Sequence, residues 1–197
     1  MIKAVIFDEG GVLSLKSDLR EFANFCAMKY GKDPAAFSEL VVKSWKLARV
    51  SAIDSIEFWK RLGKFMDIGA VNIRRDFVAS SSPREDALKL AKKLKGRYKL
   101  GILSNNIRDW FEEMVEMWEF GSTFDVILSS HMTKKAKPDR EFYEEMVVRL
   151  GVKPDECVFI DDTEANIPPA KALGMKAIHF RDMKHLEKEL KKLGVKW

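Results

Sequence analysis

Glutamine is absent from the 197-residue chain, and cysteine, histidine and tyrosine are scarce, at two, three and three residues. Two cysteines, Cys26 and Cys157, cannot form a disulfide framework, and no Cys-x-x-Cys or His/Cys cluster suggests structural zinc. The three histidines, His131, His179 and His185, have no mutual spacing that suggests a metal. No apolar run approaches the roughly 20 residues needed to span a bilayer. The first residues, Met1–Asp8, reach an acid too soon for a secretory leader. Repeats and low-complexity segments are missing as well. Together these absences lead us to expect a cytoplasmic protein that neither crosses a membrane nor depends on disulfides.

What is present is apolar and charged. The apolar share of 46% excludes a disordered chain, and 197 residues suffice for one domain with an inserted module. Lysine and arginine number 35 against 30 acids, a net charge of +5. The basic excess lies mainly in 89–99 and 181–196, where Lys alternates with Leu at helical spacing. Such stretches read as solvated helix faces rather than a nucleic-acid surface, so no nucleic-acid partner is expected. High Lys and Glu content without glutamine is a bias of heat-stable proteins.

Ala4-Val5-Ile6-Phe7 reads as a buried strand emptying into Asp8 and a glycine-rich loop. Residues 17–79 carry helical periodicity throughout, broken at Gly31–Pro34 and Ser51-Ala52, and hold no convincing strand. Beyond Pro83, helices alternate with apolar strands: 84–94 helix, 100–104 strand, 109–118 helix, 124–128 strand, a helix opened by Pro138, 157–160 strand, 166–173 helix, 176–179 strand and a last helix to 193. This alternation predicts an α/β fold, a Rossmann-like parallel sheet with right-handed crossovers. The expected division is a core of 1–15 and 82–197 with an inserted helical cap over 16–81.

In an open parallel sheet, ligands bind beyond the carboxyl ends of the strands. Those ends carry Asp8 with Glu9-Gly10-Gly11, Ser104 with Asn105-Asn106, and Asp161-Asp162; Lys137 precedes Pro138 between them. Acids brought close together repel unless a cation joins them, and hard oxygen ligands suit Mg²⁺. A hydroxyl, loop amides and a lysine suit the oxygens of an anion. A metal beside an anion cradle, with a carboxylate between, is an arrangement for phosphoryl transfer. Each residue also has a plainer role as a cap or solvated loop residue, and it is the set that points to a site.

The set resembles the four motifs of the haloacid dehalogenase (HAD) superfamily. Val5–Leu13 matches a strand ending in a nucleophilic Asp, and Leu100–Ser104 with Asn105 matches a strand ending in Ser or Thr. Lys137-Pro138-Asp139 matches the motif lysine, and Val158–Asp162, with Asn166 downstream, matches the acid pair after a strand. The resemblance implies a HAD-like core with a C1-type four-helix cap and a phosphatase activity, a phosphoric monoester hydrolase. Asp8 would attack phosphorus, and Ser104 and Asn105 would hold the transferring group. Lys137 would neutralise charge, while Asp8, the Gly10 carbonyl and Asp162 would hold Mg²⁺, with Asp161 a ligand through water or an orienting neighbour. The substrate would be a small phosphorylated metabolite, a sugar phosphate among the candidates, and the protein a monomer or homodimer.

One position departs from the commonest phosphatase pattern, which has a second Asp two residues after the nucleophile. Here that residue is Gly10, as in an Asp-x-Gly-Gly-Val subgroup. Loss of such a general acid typically costs about 10²–10⁴-fold in rate. Glu9 is not an obvious replacement, because adjacent side chains tend to point to opposite sides. A 2-haloacid dehalogenase also lacks the second Asp, but the resemblance predicts a larger residue at 10 and no acid at 162. A catalytically idle binding or regulatory protein would have no use for Asp8, Ser104, Lys137 and Asp162 together. In the cap, Trp45, Phe58 and Trp59 read as core, whereas Arg49, a charge near a helix break, is a candidate contact for a substrate anion.

Overall fold

The computed structural model describes residues 1–15 and 19–197. β1 (Ala4–Phe7) runs into a turn, Glu9–Leu13, and then into β2 (Ser14–Leu15). Four helices follow: α1 (Leu19–Tyr30), α2 (Pro34–Ala48), α3 (Ser55–Met66) and α4 (Ala70–Ala79). Asp33 and Asp54 start α2 and α3 by accepting the Ala36 and Glu57 N–H groups at 2.6 and 2.7 Å, the usual device for an orphan helix donor. β3 (Ser82–Pro83) closes the insert by pairing antiparallel with β2. This ribbon is too short to show any periodicity in sequence. The expected start of the insert, residue 16, lies outside the described residues.

The remaining chain alternates as expected: α5 (Glu85–Leu94), β4 (Lys99–Ser104), α6 (Arg108–Met117), β5 (Val126–Ser129), the short α7 (Ser130–Thr133), α8 (Arg140–Leu150), β6 (Cys157–Asp161), α9 (Ile167–Ala172), β7 (Lys176–His179) and α10 (Met183–Lys192). β5 starts two residues later than its apolar pattern predicts. Phe124 belongs instead to a turn, its N–H on the Phe120 carbonyl, and Asp125 exchanges bonds with Leu100.

The sheet order is β5-β4-β1-β6-β7, with every neighbouring pair parallel. The order reverses at β1, which places a crevice beyond its carboxyl end. Strand side chains alternate between two apolar layers. Val5, Phe7, Ile102, Val158 and Ile160 face α5, α6, α10 and the insert, while Ala4, Ile6, Leu103 and Phe159 face α8 and α9. The apolar cluster of the insert is continuous with the first layer through Trp59, Phe77 and Trp110. Phe77 and Trp110 meet edge to face at 5.9 Å. Polar contacts reinforce that seam: Trp59 Nε1 and Arg74 Nε donate to Asp109 Oδ2 at 2.8 and 2.9 Å, and Ser51 Oγ donates to the His131 carbonyl at 3.0 Å. Cys26 and Cys157 are both buried free thiols. Among the described residues, no helix is long and apolar enough to cross a membrane.

Candidate active site

The site is assembled from three strand ends and one loop. Asp8 extends the β1–β6 pairing by one residue, donating its N–H to the Ile160 carbonyl at 2.8 Å. Its carboxylate accepts the Glu9 N–H at 2.6 Å and lies 2.7 Å from Lys137 Nζ. The same ammonium donates to Asp161 Oδ2 at 2.6 Å. Lys137 is 2% exposed, so its charge is held by these two carboxylates rather than by water. Burial alone would lower its pKa, but Asp161 and Asp8 outweigh burial and leave it raised.

Two asparagines fix this ion cluster. Asn105 clamps the backbone of Lys137, donating to its carbonyl and accepting its N–H, both at 2.8 Å. Asn166 Nδ2 lies 3.0 Å from each oxygen of Asp161, which also accepts the Thr163 N–H at 2.8 Å. Tyr143 Oη in turn donates to the Asn166 carbonyl at 3.0 Å. Asp161 is therefore an orienting neighbour of Lys137. The second role of Asn166 was readable only as a motif position, because its partner is set by the turn after β6 and by no periodicity.

Asp8, Asp161 and Asp162 each offer a carboxylate oxygen, and these lie within 4.8 Å of one another. Burial, and then Asp161, push the Asp8 carboxyl well above its usual value, against the pull of Lys137. Three carboxylates meet beside a single ammonium, so the donor set is hard, crowded and short of positive charge. Those properties fit a divalent cation of the Mg²⁺ type. Asp161 is already committed to Lys137 and Asn166, which leaves Asp8 and Asp162 as the side chains best placed for it.

These groups line one cavity of about 370 Å³, near the lower end of the roughly 300–1,000 Å³ of small-molecule sites. Asp8, Gly10, Ser104, Asn105, Lys137 and Asp162 all border it, and so does Arg49 from the end of α2. Asp161, the other strand-end acid, is fully buried behind them and does not border it. Glu9 does border it. Glu9 is buried, which raises its pKa, and accepts a bond from Asn106 Nδ2 at 3.1 Å. His131 does not border the cavity; it is buried against Ser129, Nδ1 to Oγ 2.9 Å.

A family model described as haloacid dehalogenase-like hydrolase matches residues 2–174. The chain belongs to that family. Among its HAD relatives, the sesquiterpene phosphatase of Aspergillus oryzae is 27% identical over 97% of this chain and 96% of its own length. Flavin mononucleotide hydrolase 1 of Arabidopsis thaliana is 35% identical over 44% of this chain, a match spanning only 35% of that protein. A solved HAD family enzyme from Bacteroides thetaiotaomicron, a mutant in complex with magnesium and inorganic phosphate, superposes with a TM-score of 0.79 at 24% identity. That alignment covers 94% of this chain and 99% of that one, and it shows the shared fold.

Proposed function

We propose that the chain is a Mg²⁺-dependent phosphatase acting on a small phosphorylated metabolite, with residues 16–81 serving as a cap over a core of 1–15 and 82–197. The observation that carries this reading is Lys137 Nζ, buried between Asp8 and Asp161 on a cavity that Ser104 and Asp162 also border. Asp8, the Gly10 carbonyl and Asp162 would hold the metal, which when bound supplies positive charge for the phosphoryl oxygens and for Asp8. A carboxylate oxygen of Asp8 attacks phosphorus as the bond to the leaving oxygen breaks, giving an aspartyl-phosphate; the leaving oxygen takes its proton from solvent. Water then attacks the same phosphorus, releasing inorganic phosphate and restoring Asp8. Lys137 pulls Asp8 toward its anionic form and neutralises charge on the transferring group, while Ser104 and the Asn105 N–H hold its oxygens. Arg49 contacts the remainder of the substrate.

The phosphoryl end treats a sugar phosphate like any other monoester, because its groups meet only phosphoryl oxygens. The Asp161-Asp162 pair beside Asp8 supports this reading over a metal-free dehalogenase. A cytoplasmic location is supported by the two buried thiols, both free. The test is hydrolysis of p-nitrophenyl phosphate by wild type and Asp8→Asn, with Mg²⁺ and with EDTA. Turnover that needs both Mg²⁺ and Asp8 is expected. Turnover that survives Asp8→Asn, or no turnover while Mg²⁺ binds, overturns the reading.

A further inference from the structure

The side of the cavity formed by the insert has a different chemistry. Among the described residues, the insert contributes Leu19, Trp45, Arg49, Phe77 and Ser81 to its wall, and α6 adds Trp110. The rings form one connected set: Trp45 and Phe77 stand 6.0 Å apart, and Phe77 meets Trp110 at 5.9 Å. Phe77 and Trp110 are each 3% exposed, so neighbouring rings hold them in place, and with Trp45 tilted at 43° and Trp110 at 89° to Phe77 they present a small, angled apolar surface to the cavity. Leu19 and these rings bring no carboxylate or amide to that wall. Ser81 offers one hydroxyl there, so a polyhydroxylated alcohol would lose water from several hydroxyls and regain few partners for them.

Arg49 is the charged residue on that wall. It ends α2, its backbone N–H bonded to the Trp45 carbonyl at 2.9 Å, and its side-chain Nε is buried without a hydrogen-bond partner. Arginine stays charged in a protein, and an unpaired buried donor on such a group is costly, so a ligand acceptor there gains more than it would in water. The guanidinium fork matches a carboxylate or a phosphate, and with the phosphoryl group placed at Lys137 and Ser104 in the proposed reading, a carboxylate is the partner left for Arg49.

Resting on the phosphatase reading, we infer that the preferred substrate is a phosphate monoester whose alcohol carries a flat aromatic body and a carboxylate. The aromatic body lies against Trp45, Phe77 and Trp110, and the carboxylate meets Arg49. A sugar phosphate is the disfavoured class.

The test is calorimetric binding, in Mg²⁺, of three non-hydrolysable phosphonates: 4-carboxybenzyl phosphonate, benzyl phosphonate and the phosphonate analogue of glucose 6-phosphate. Wild type is compared with Arg49→Met and Trp45→Leu, each checked by its thermal transition. Expected affinities fall in the order given, with at least about tenfold between the first and second and again between the second and third. Arg49→Met should erase the first gap and Trp45→Leu should narrow the second. Equal or tighter binding of the sugar analogue by wild type overturns the inference, as does a first gap that survives Arg49→Met. Because binding needs no turnover, the order can hold even if p-nitrophenyl phosphate is not hydrolysed, in which case only the phosphatase reading falls.

Discussion

The Asp162 carboxylate occupies the space that a side chain on Gly11 would need. A Cβ at Gly11 would stand 2.1 Å from Asp162 Oδ2, and Gly11 already has a positive φ of 76°. The first glycine-rich turn and the acid after β6 therefore fit together only while residue 11 has no side chain. Gly11→Ala should displace Asp162, with two measurable results. Mg²⁺ affinity, read by titration calorimetry, should fall by at least about tenfold, and stability in urea by about 1–3 kcal/mol from backbone strain. Unchanged Mg²⁺ affinity would remove Asp162 from the metal site.

Gly10 is the opposite case. A Cβ there meets nothing within 4 Å, and its φ and ψ of −64° and 125° are open to any residue. The missing acid is thus a matter of side chain and not of backbone. Gly10→Asp should raise kcat/KM on alkyl phosphates by about 10²-fold, the low end for general acid catalysis. The same variant should do little for p-nitrophenyl phosphate, whose leaving group needs little protonation. Comparing the two substrates decides the point, since an equal gain on both would mean that residue 10 donates no proton.

Lys137→Met leaves Asp8 and Asp161 facing each other in a buried place without their shared ammonium. Breaking such a pair costs about 3–5 kcal/mol. Urea unfolding should show a loss of that order, and p-nitrophenyl phosphate turnover a fall of at least about 10²-fold. Asn166→Ala should act through Asp161: turnover should fall less, and its pH profile should move. A profile superimposable on wild type would limit Asn166 to a structural role.

His131 gives the fold a pH dependence of its own. Burial holds the imidazole below its usual 6.5, helped by Arg108 and opposed by Glu112. The unfolded ring takes up a proton at a pH where the folded ring still refuses it. His131 therefore costs nothing well above 6.5, and stability drains away as pH falls through that value toward the lower folded pKa. Melting temperatures measured from about pH 5 to 8 should show this slope in wild type and a flatter one in His131→Phe. Equal slopes would mean that other groups set it.

The sheet was legible because its strands are buried on both faces and so stand out as continuous apolar runs, as in Val5–Phe7 and Val158–Ile160. The strand-end acids were legible for the same reason, since a charge directly after such a run has few places to go. The roles inside the cluster were not. Whether Asp161 or Asp162 faces Lys137 depends on the turn after β6, and the Asn105 clamp on Lys137 joins residues 32 apart. The aromatic wall was half visible: Trp45 reads as helix core by its spacing, and only the packing of α2 against α1 and α3, which sets its ring beside Phe77, brings part of it to the cavity.

The pairing of β2 with β3 makes the helical insert a cassette. Its two connections leave the sheet side by side, Leu15 opposite Ser82, so the register between β1 and β4 does not depend on how much chain lies between them. Any segment whose ends meet at that ribbon could stand in the same place, longer, shorter or differently lined, over an unaltered set of strand-end residues. Selectivity and chemistry can then be changed independently: the cavity wall by exchanging the cassette, the reaction by altering Asp8, Gly10 or their neighbours.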